Sequence, residues 1–249
     1  MSKRSSTLDN ALFPFRPLVI AQGEVLYAYN LLQDSFFNLF ILIANLERPQ
    51  MPHAQMARFY DHALSIWHVS QSDRQQRQLA LAAISSLPTT LDIKGGIARL
   101  KWALEQTNEL VDYRNLIAHT PMKLSWEIKD DKLFPPTPKI SSDSLRPINR
   151  QRLRLIKDLR FWKALRNDFL NLNDYVDFVT KQIAWREYEH QNGAPIPGAR
   201  RSWPHKPRLP CLRQKKKIDQ AAKAASSLPA PPKRRKRRRP SGGRPPVRS

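Results

Sequence analysis

Cysteine is nearly missing from this chain: Cys211 is the only one in 249 residues. A lone thiol excludes an intrachain disulfide and any thiolate metal cluster, and it fits a reducing interior. Glycine is scarce too, at seven residues, and none of them builds a glycine-rich phosphate loop. Long hydrophobic runs are lacking. The most apolar stretch, Phe36 to Leu46, is about half of the roughly 20 residues that a membrane span requires. It reads as a buried helix, and no membrane partner is expected. At the N-terminus Lys3 and Arg4 are followed by Asp9, Pro14 and Arg16, which leave no apolar core for a secretory signal. A cytoplasmic protein is expected. There is no Ser-His-Asp order, no carboxylate cluster suited to Mg²⁺ and no internal repeat, so neither a metal nor an organic cofactor is expected.

What is abundant is positive charge, and it is unevenly placed. The net charge is +22. Residues 190–249 hold 18 Lys and Arg against one acid, Asp219, whereas residues 1–189 hold 25 against 20. The body therefore has the charge balance of an ordinary domain, and the last fifth makes the protein basic. That asymmetry favours a polyanionic partner, RNA or another nucleic acid first. The blocks Lys215–Lys217 and Lys233–Arg239 fit a nucleic-acid arm and a nucleoid or nuclear address equally well.

Apolar spacing predicts an all-α fold, an antiparallel helical bundle over residues 23–190. Residues 1–22 read as an N-terminal arm. A first helix covers Glu24 to Leu46, with Val25, Ala28, Leu32, Phe36, Leu39 and Ile43 on one face. A second runs from His53 to Val69. A third is capped by Ser70 or Ser72 and stopped by Pro88. A long fourth helix runs from Ile97 to His119, with Gly95-Gly96 as a weak point or start. Residues 122–134 alternate like a small β-hairpin, and 139–149 read as a loop. One amphipathic helix then covers 149–190, and its first half carries a row of Arg and Lys that reads as a solvated face or as a backbone-binding surface. The Pro-, Arg- and Lys-rich stretch 191–249 reads as a disordered tail, in which Trp203 is a stray aromatic or a base-stacking one.

Three histidines, His53, His62 and His68, lie near the second helix, but their spacings do not match a helical metal pair. The functional signal is elsewhere. Arg114-Asn115-Leu116-Ile117-Ala118-His119 closes the fourth helix, and Thr120-Pro121 stops it. The Arg-x4-His spacing alone says little, because Arg48…His53 and Arg200…His205 repeat it. The first crosses Pro49 and Pro52, the second lies in the Pro-rich tail, and neither has an asparagine after its arginine.

Arg114-Asn115…His119 resembles the R-N-x-x-x-H signature of HEPN domains, helical proteins that include many metal-independent ribonucleases of toxin–antitoxin, CRISPR and antiviral systems. The resemblance implies a catalytic set of Arg114, Asn115 and His119. It also implies a homodimer whose two motifs share one cleft, an RNA substrate, and an antitoxin or other regulatory protein as a further partner. Its chemistry is coherent. Metal-free RNA cleavage needs a base for the 2′-hydroxyl proton, an acid for the departing 5′-oxygen and a cation for the phosphate. Histidine serves as acid or base, arginine binds phosphate through two donors, and Asn115 orients either. One chain supplies one histidine, and five helical positions turn about 140°, so Arg114 and His119 do not closely share a face. The alternatives are a non-catalytic HEPN-like module that binds nucleic acid or protein, and a helical regulator localised by its tail. The bland reading of the motif itself is that Arg114 pairs with Asp112 or Glu109 and His119 merely caps the helix.

Overall fold

The computed structural model describes residues 15–46, 53–70, 72–87, 93–120, 122–125, 128–129, 132–133, 137–140, 145–156, 158–193, 195 and 202–227. These are predominantly helical, as expected. The helices are α1 (Arg16–Leu46), α2 (His53–Val69), α3 (Asp73–Ser86), α4 (Lys94–Ala118), α5 (Pro147–Ile156), α6 (Leu159–Asn192) and α7 (Pro210–Ser227). Between α4 and α5 the backbone pairs β1 (Met122–Ser125) with β4 (Thr137–Ile140), and β2 (Ile128–Lys129) with β3 (Lys132–Leu133), both antiparallel. The pairing thus runs past residue 134 into what reads as loop from sequence. Among the described residues no helix is long and apolar enough to cross a membrane.

The core is built on α1, α4 and α6. Val25, Leu32, Phe36, Leu39 and Ile43 of α1 are buried with Leu100, Leu110 and Ile117 of α4 and Leu165, Phe169, Leu172 and Val176 of α6. Such a cluster is the main source of stability, since each fully buried aliphatic or aromatic side chain contributes about 1.5–3 kcal/mol of transfer free energy. Named pairs fix the helix directions. Along α1, Glu24 meets Arg166 at 2.8 Å, the Tyr29 ring meets Phe169 edge-on, and Ser35 bonds Asn173 at 2.8 Å. Both numbers rise together, so α1 and α6 run in the same direction. The sequence expectation of antiparallel helices does not extend to this pair, because the chain between them is long enough to return. Against α4 the order reverses: Trp102 meets Tyr175 edge-on, and Tyr113 meets Phe161 in the same way.

Three boundaries differ from the sequence expectation. Helix α1 starts at Arg16 rather than near Glu24, so residues 16–22 are helix and not arm. Pro17 does not prevent this, because a first-turn proline lacks an N–H that the helix would leave unpaired anyway. The single helix expected over 149–190 is two. Asp158 sits in extended conformation and its carboxylate accepts from the Arg160 N–H at 2.8 Å, starting α6 afresh. The indole N–H of Trp162 takes the Ile156 carbonyl of α5 at 2.8 Å.

The third difference is the largest. Residues 202–227 are not a disordered extension. Trp203 fills a slot between α4 and α6, Leu209 is buried just before α7, and α7 docks through buried Cys211 and Ala222. The slot exists because Gly95 and Gly96 have no side chains: a Cβ there would lie 2.7 and 2.5 Å from the indole. Arg186 lies over the same ring at 4.4 Å and Arg99 at 5.9 Å. Arg99 also donates to the Pro204 carbonyl, and Gln182 to that of Ser202. Residues 228–249, with the arginine-rich block, lie outside the described residues.

Candidate functional site

The end of α4 places the motif. Asp112, Asn115, Leu116 and His119 are spaced by three and four, so they share one side of the helix. They line an open groove of about 340 Å³ with Leu145, Asn149 and Arg152, the last two from α5. Arg114 is one position out of step, about 100° round the axis, and it lies elsewhere. Its guanidinium donates to Asn115 Oδ1 at 2.8 Å, pairs with Asp73 of α3 at 3.3 Å and stacks over the Tyr29 ring at 4.3 Å. Its Nε is buried without a hydrogen-bond partner among the described residues. The structure thus gathers two of the three expected site residues into one groove and turns the third away from it.

The helix terminus explains why His119 is spare. Helix C-termini leave carbonyls without intrahelical partners, and here other residues take them. Gln22 of α1 donates to the Ile117 and Ala118 carbonyls at 2.8 and 3.1 Å. Thr120 donates its hydroxyl to Leu116 at 2.5 Å and its N–H to Ile117 at 3.1 Å. The His119 N–H returns to the Asn115 carbonyl at 3.1 Å. Its imidazole is exposed, and among the described residues it makes no hydrogen bond. His119 is thus the C-cap residue of α4 through its backbone, as one sequence reading has it, while its side chain takes no part in the cap.

Beneath Arg114 lies a polar network in the core. Arg77, 5% exposed, donates from Nη1 to the Tyr29 hydroxyl at 2.6 Å and from Nε to Asn108 Oδ1 at 2.7 Å. Burial above all holds the Tyr29 phenol well above its usual pKa; the Arg77 guanidinium works against this, and Asp73 reinforces it. The partner of Arg114 is therefore Asp73, 41 positions away in sequence, and not Asp112 or Glu109.

The far wall of the groove is tied to α7. Arg152 Nε donates to Asp219 Oδ1 at 2.9 Å, and the Tyr113 hydroxyl reaches the same oxygen at 3.4 Å. Lys215 pairs with Glu109. At the start of α7, buried Asp168 of α6 accepts from the Cys211 N–H at 2.9 Å. Burial pushes the Asp168 carboxyl up to about 7, while the N–H groups of Cys211 and Leu212 pull the other way.

Of the groove residues that sequence reasoning missed, Asp112 was legible from its seven-residue step to His119. Asn149 and Arg152 were not, because only tertiary packing brings them there. Among the described residues no three His, Cys, Asp or Glu side chains converge as a metal-ligand set. No family model, curated protein or solved structure matches the chain.

Proposed function

We propose that this chain is a HEPN-like, metal-independent endoribonuclease that acts as a homodimer. One observation carries the reading: Asn115 and His119 stand side by side in an open groove, and the end of α4 is capped by Gln22, Thr120 and the His119 backbone, which leaves the imidazole out of the cap. A general acid–base group must be unencumbered and within reach of the reacting proton, and His119 meets the first condition. In the proposed reaction one histidine accepts the 2′-hydroxyl proton as that oxygen attacks the adjacent phosphorus. The 5′-oxygen leaves with a proton from a second donor, His119 of the other copy. The products are a 2′,3′-cyclic phosphate and a 5′-hydroxyl. Arg114 is a positioning residue in this scheme, fixing the Asn115 amide from within the same chain, and Arg152 is the groove's own phosphate-binding cation. The paired strands between α4 and α5 are then an insertion in a helical bundle, and the basic C-terminal block a cytoplasmic or nucleoid-side RNA tether. An antitoxin-type regulator fits the same reading.

A second reading is favoured by the engagement of Arg114 with Asp73, Tyr29 and Asn115, which leaves the motif arginine away from the groove. It is a non-catalytic module of the same type that holds nucleic acid or a protein. One experiment separates the two. The purified full chain is incubated with RNA in EDTA and the new ends are analysed, alongside His119→Ala. Cyclic-phosphate ends lost in His119→Ala support the nuclease; equal cutting by both proteins overturns it. RNA binding without cutting, unchanged in His119→Ala, marks the binding module. Ala118→Arg, beside the motif, is expected to lower dimerisation and cutting together.

A further inference from the structure

Arg77 is a cation in the wrong surroundings. Its side chain is almost fully buried, yet its hydrogen-bond partners are the neutral Asn108 amide and the Tyr29 hydroxyl. No carboxylate lies within ion-pair distance of it among the described residues. A buried charge without a counter-charge is costly, and it persists where something else supplies the opposite sign. The only acid in its network among the described residues, Asp73, is paired with Arg114 at 3.3 Å. Arg77 also lines a cavity of about 420 Å³ between α3 and α4, with Arg74, Gln78 and Asn108 on its polar side and Leu81, Leu104 and Val111 on its apolar side. Among the described residues no acidic side chain lines it.

We infer that this cavity is a binding site for a phosphate monoester, separate from the His119 groove. Arg77 and Arg74 supply the two guanidinium groups that a dianionic phosphoryl group recognises, and the Gln78 and Asn108 amides add neutral donors. The volume lies within the 300–1,000 Å³ or so typical of small-molecule sites. It is larger than a bare phosphate needs, and Leu81, Leu104 and Val111 form a wall on which a planar ring fits. A nucleoside 5′-monophosphate has both parts, and a free phosphate has the first. The bound phosphoryl group supplies the negative charge that Arg77 lacks. The site does not depend on the chemistry proposed for His119, and His119→Ala is expected to leave it unchanged.

The test is calorimetric titration of the full chain at physiological salt with a nucleoside 5′-monophosphate, with inorganic phosphate and with the parent nucleoside. Three proteins are compared: the wild type, Arg74→Gln and Leu81→Glu. Leu81 is 42% exposed at the cavity, so a glutamate is tolerated there and brings its own carboxylate to the arginines. The basic C-terminal region is common to all three proteins, so differences between them report on the cavity. The expected result is one saturable site for the monophosphate, weakened roughly tenfold or more in Arg74→Gln, as loss of a charge-assisted contact implies, and lost in Leu81→Glu. The nucleoside does not compete. Tighter binding of the nucleotide than of phosphate identifies a nucleotide site; equal binding identifies a phosphate site. Identical titrations in all three proteins, or a nucleoside that binds as well as its monophosphate, overturn the proposal.

Discussion

Asp219 of α7 holds Arg152 at 2.9 Å on the rim of the groove that contains His119. Each side chain is 20% exposed, so the pair is partly shielded and stronger than an open surface contact. The basic end of the chain therefore reaches the candidate site through its one acidic residue. Asp219→Asn is expected to cost about 1–2 kcal/mol of stability while releasing Arg152 to the groove. RNA affinity should rise severalfold, and the logarithmic salt dependence of binding should steepen by about 1, the value for one added phosphate contact. Filter binding at several salt concentrations measures both, and weaker binding by Asp219→Asn would count against a phosphate role for Arg152.

Asp168 makes the docking of α7 sensitive to pH. Burial raises its carboxyl to about 7 from the ordinary value of 3.8. A carboxyl raised in the folded state contributes stability that is full below the unfolded value and is lost as pH rises towards the folded value. The protein is thus expected to lose stability between about pH 4 and pH 7 on account of this group. In Asp168→Asn an amide oxygen still accepts from the Cys211 N–H, but nothing titrates. Melting temperatures recorded from pH 4 to pH 8 should fall less steeply in the variant, and parallel curves would remove Asp168 as the cause.

Trp203 and Gly95 are predicted to be strongly coupled. The three closest heavy atoms to a Cβ on Gly95 all belong to the Trp203 ring, the nearest at 2.7 Å. Gly95→Ala should therefore displace the indole and loosen residues 202–227, exposing them to limited proteolysis. In a Trp203→Ala background the same change meets no ring, and the usual gain of replacing a helical glycine, roughly 0.5–1 kcal/mol, should appear instead. A double-mutant cycle by chemical denaturation checks the change of sign. Additive effects would show that the ring does not occupy the slot in solution.

How much of this was legible in the sequence depended on the range of the interaction. The three-and-four spacing of Val25 to Ile43 and the Ser72 cap, which accepts from the Gln75 N–H, are local, and the helices they imply are there. The docking of Trp203 and α7 is not local. Composition marks 191–249 as polar and basic, but several of its apolar residues, among them Trp203, Leu209, Cys211 and Ala222, find partners on α4, α5 and α6 that no local pattern advertises. The same limit applied at the site. The face shared by Asn115 and His119 follows from helical geometry, whereas the Asp73 partner of Arg114 and the Arg152 wall come from other elements.

Arg114 offers the sharpest division between a catalytic and a positioning arginine. Its guanidinium meets Asp73, the Tyr29 ring and Asn115, and its side chain is 19% exposed. Lysine at this position keeps the charge but lacks the planar fork that reaches three partners at once. Arg114→Lys is expected to lose about 1–2 kcal/mol of stability, by the scale of one or two charge-assisted hydrogen bonds, and to release Asn115. If Arg114 only positions the amide, Asn115→Ala should lower RNA cutting as much as Arg114→Lys does. The double variant should then be no worse than either single one, since residues acting as a unit are not additive. If Arg114 itself binds the phosphate in the assembled cleft, the double variant should fall well below both, and Arg114→Lys alone should raise KM as well as lower kcat. Cleavage rates of the four proteins at saturating and limiting RNA decide between these outcomes, with melting temperatures recorded beside them to separate loss of function from loss of fold.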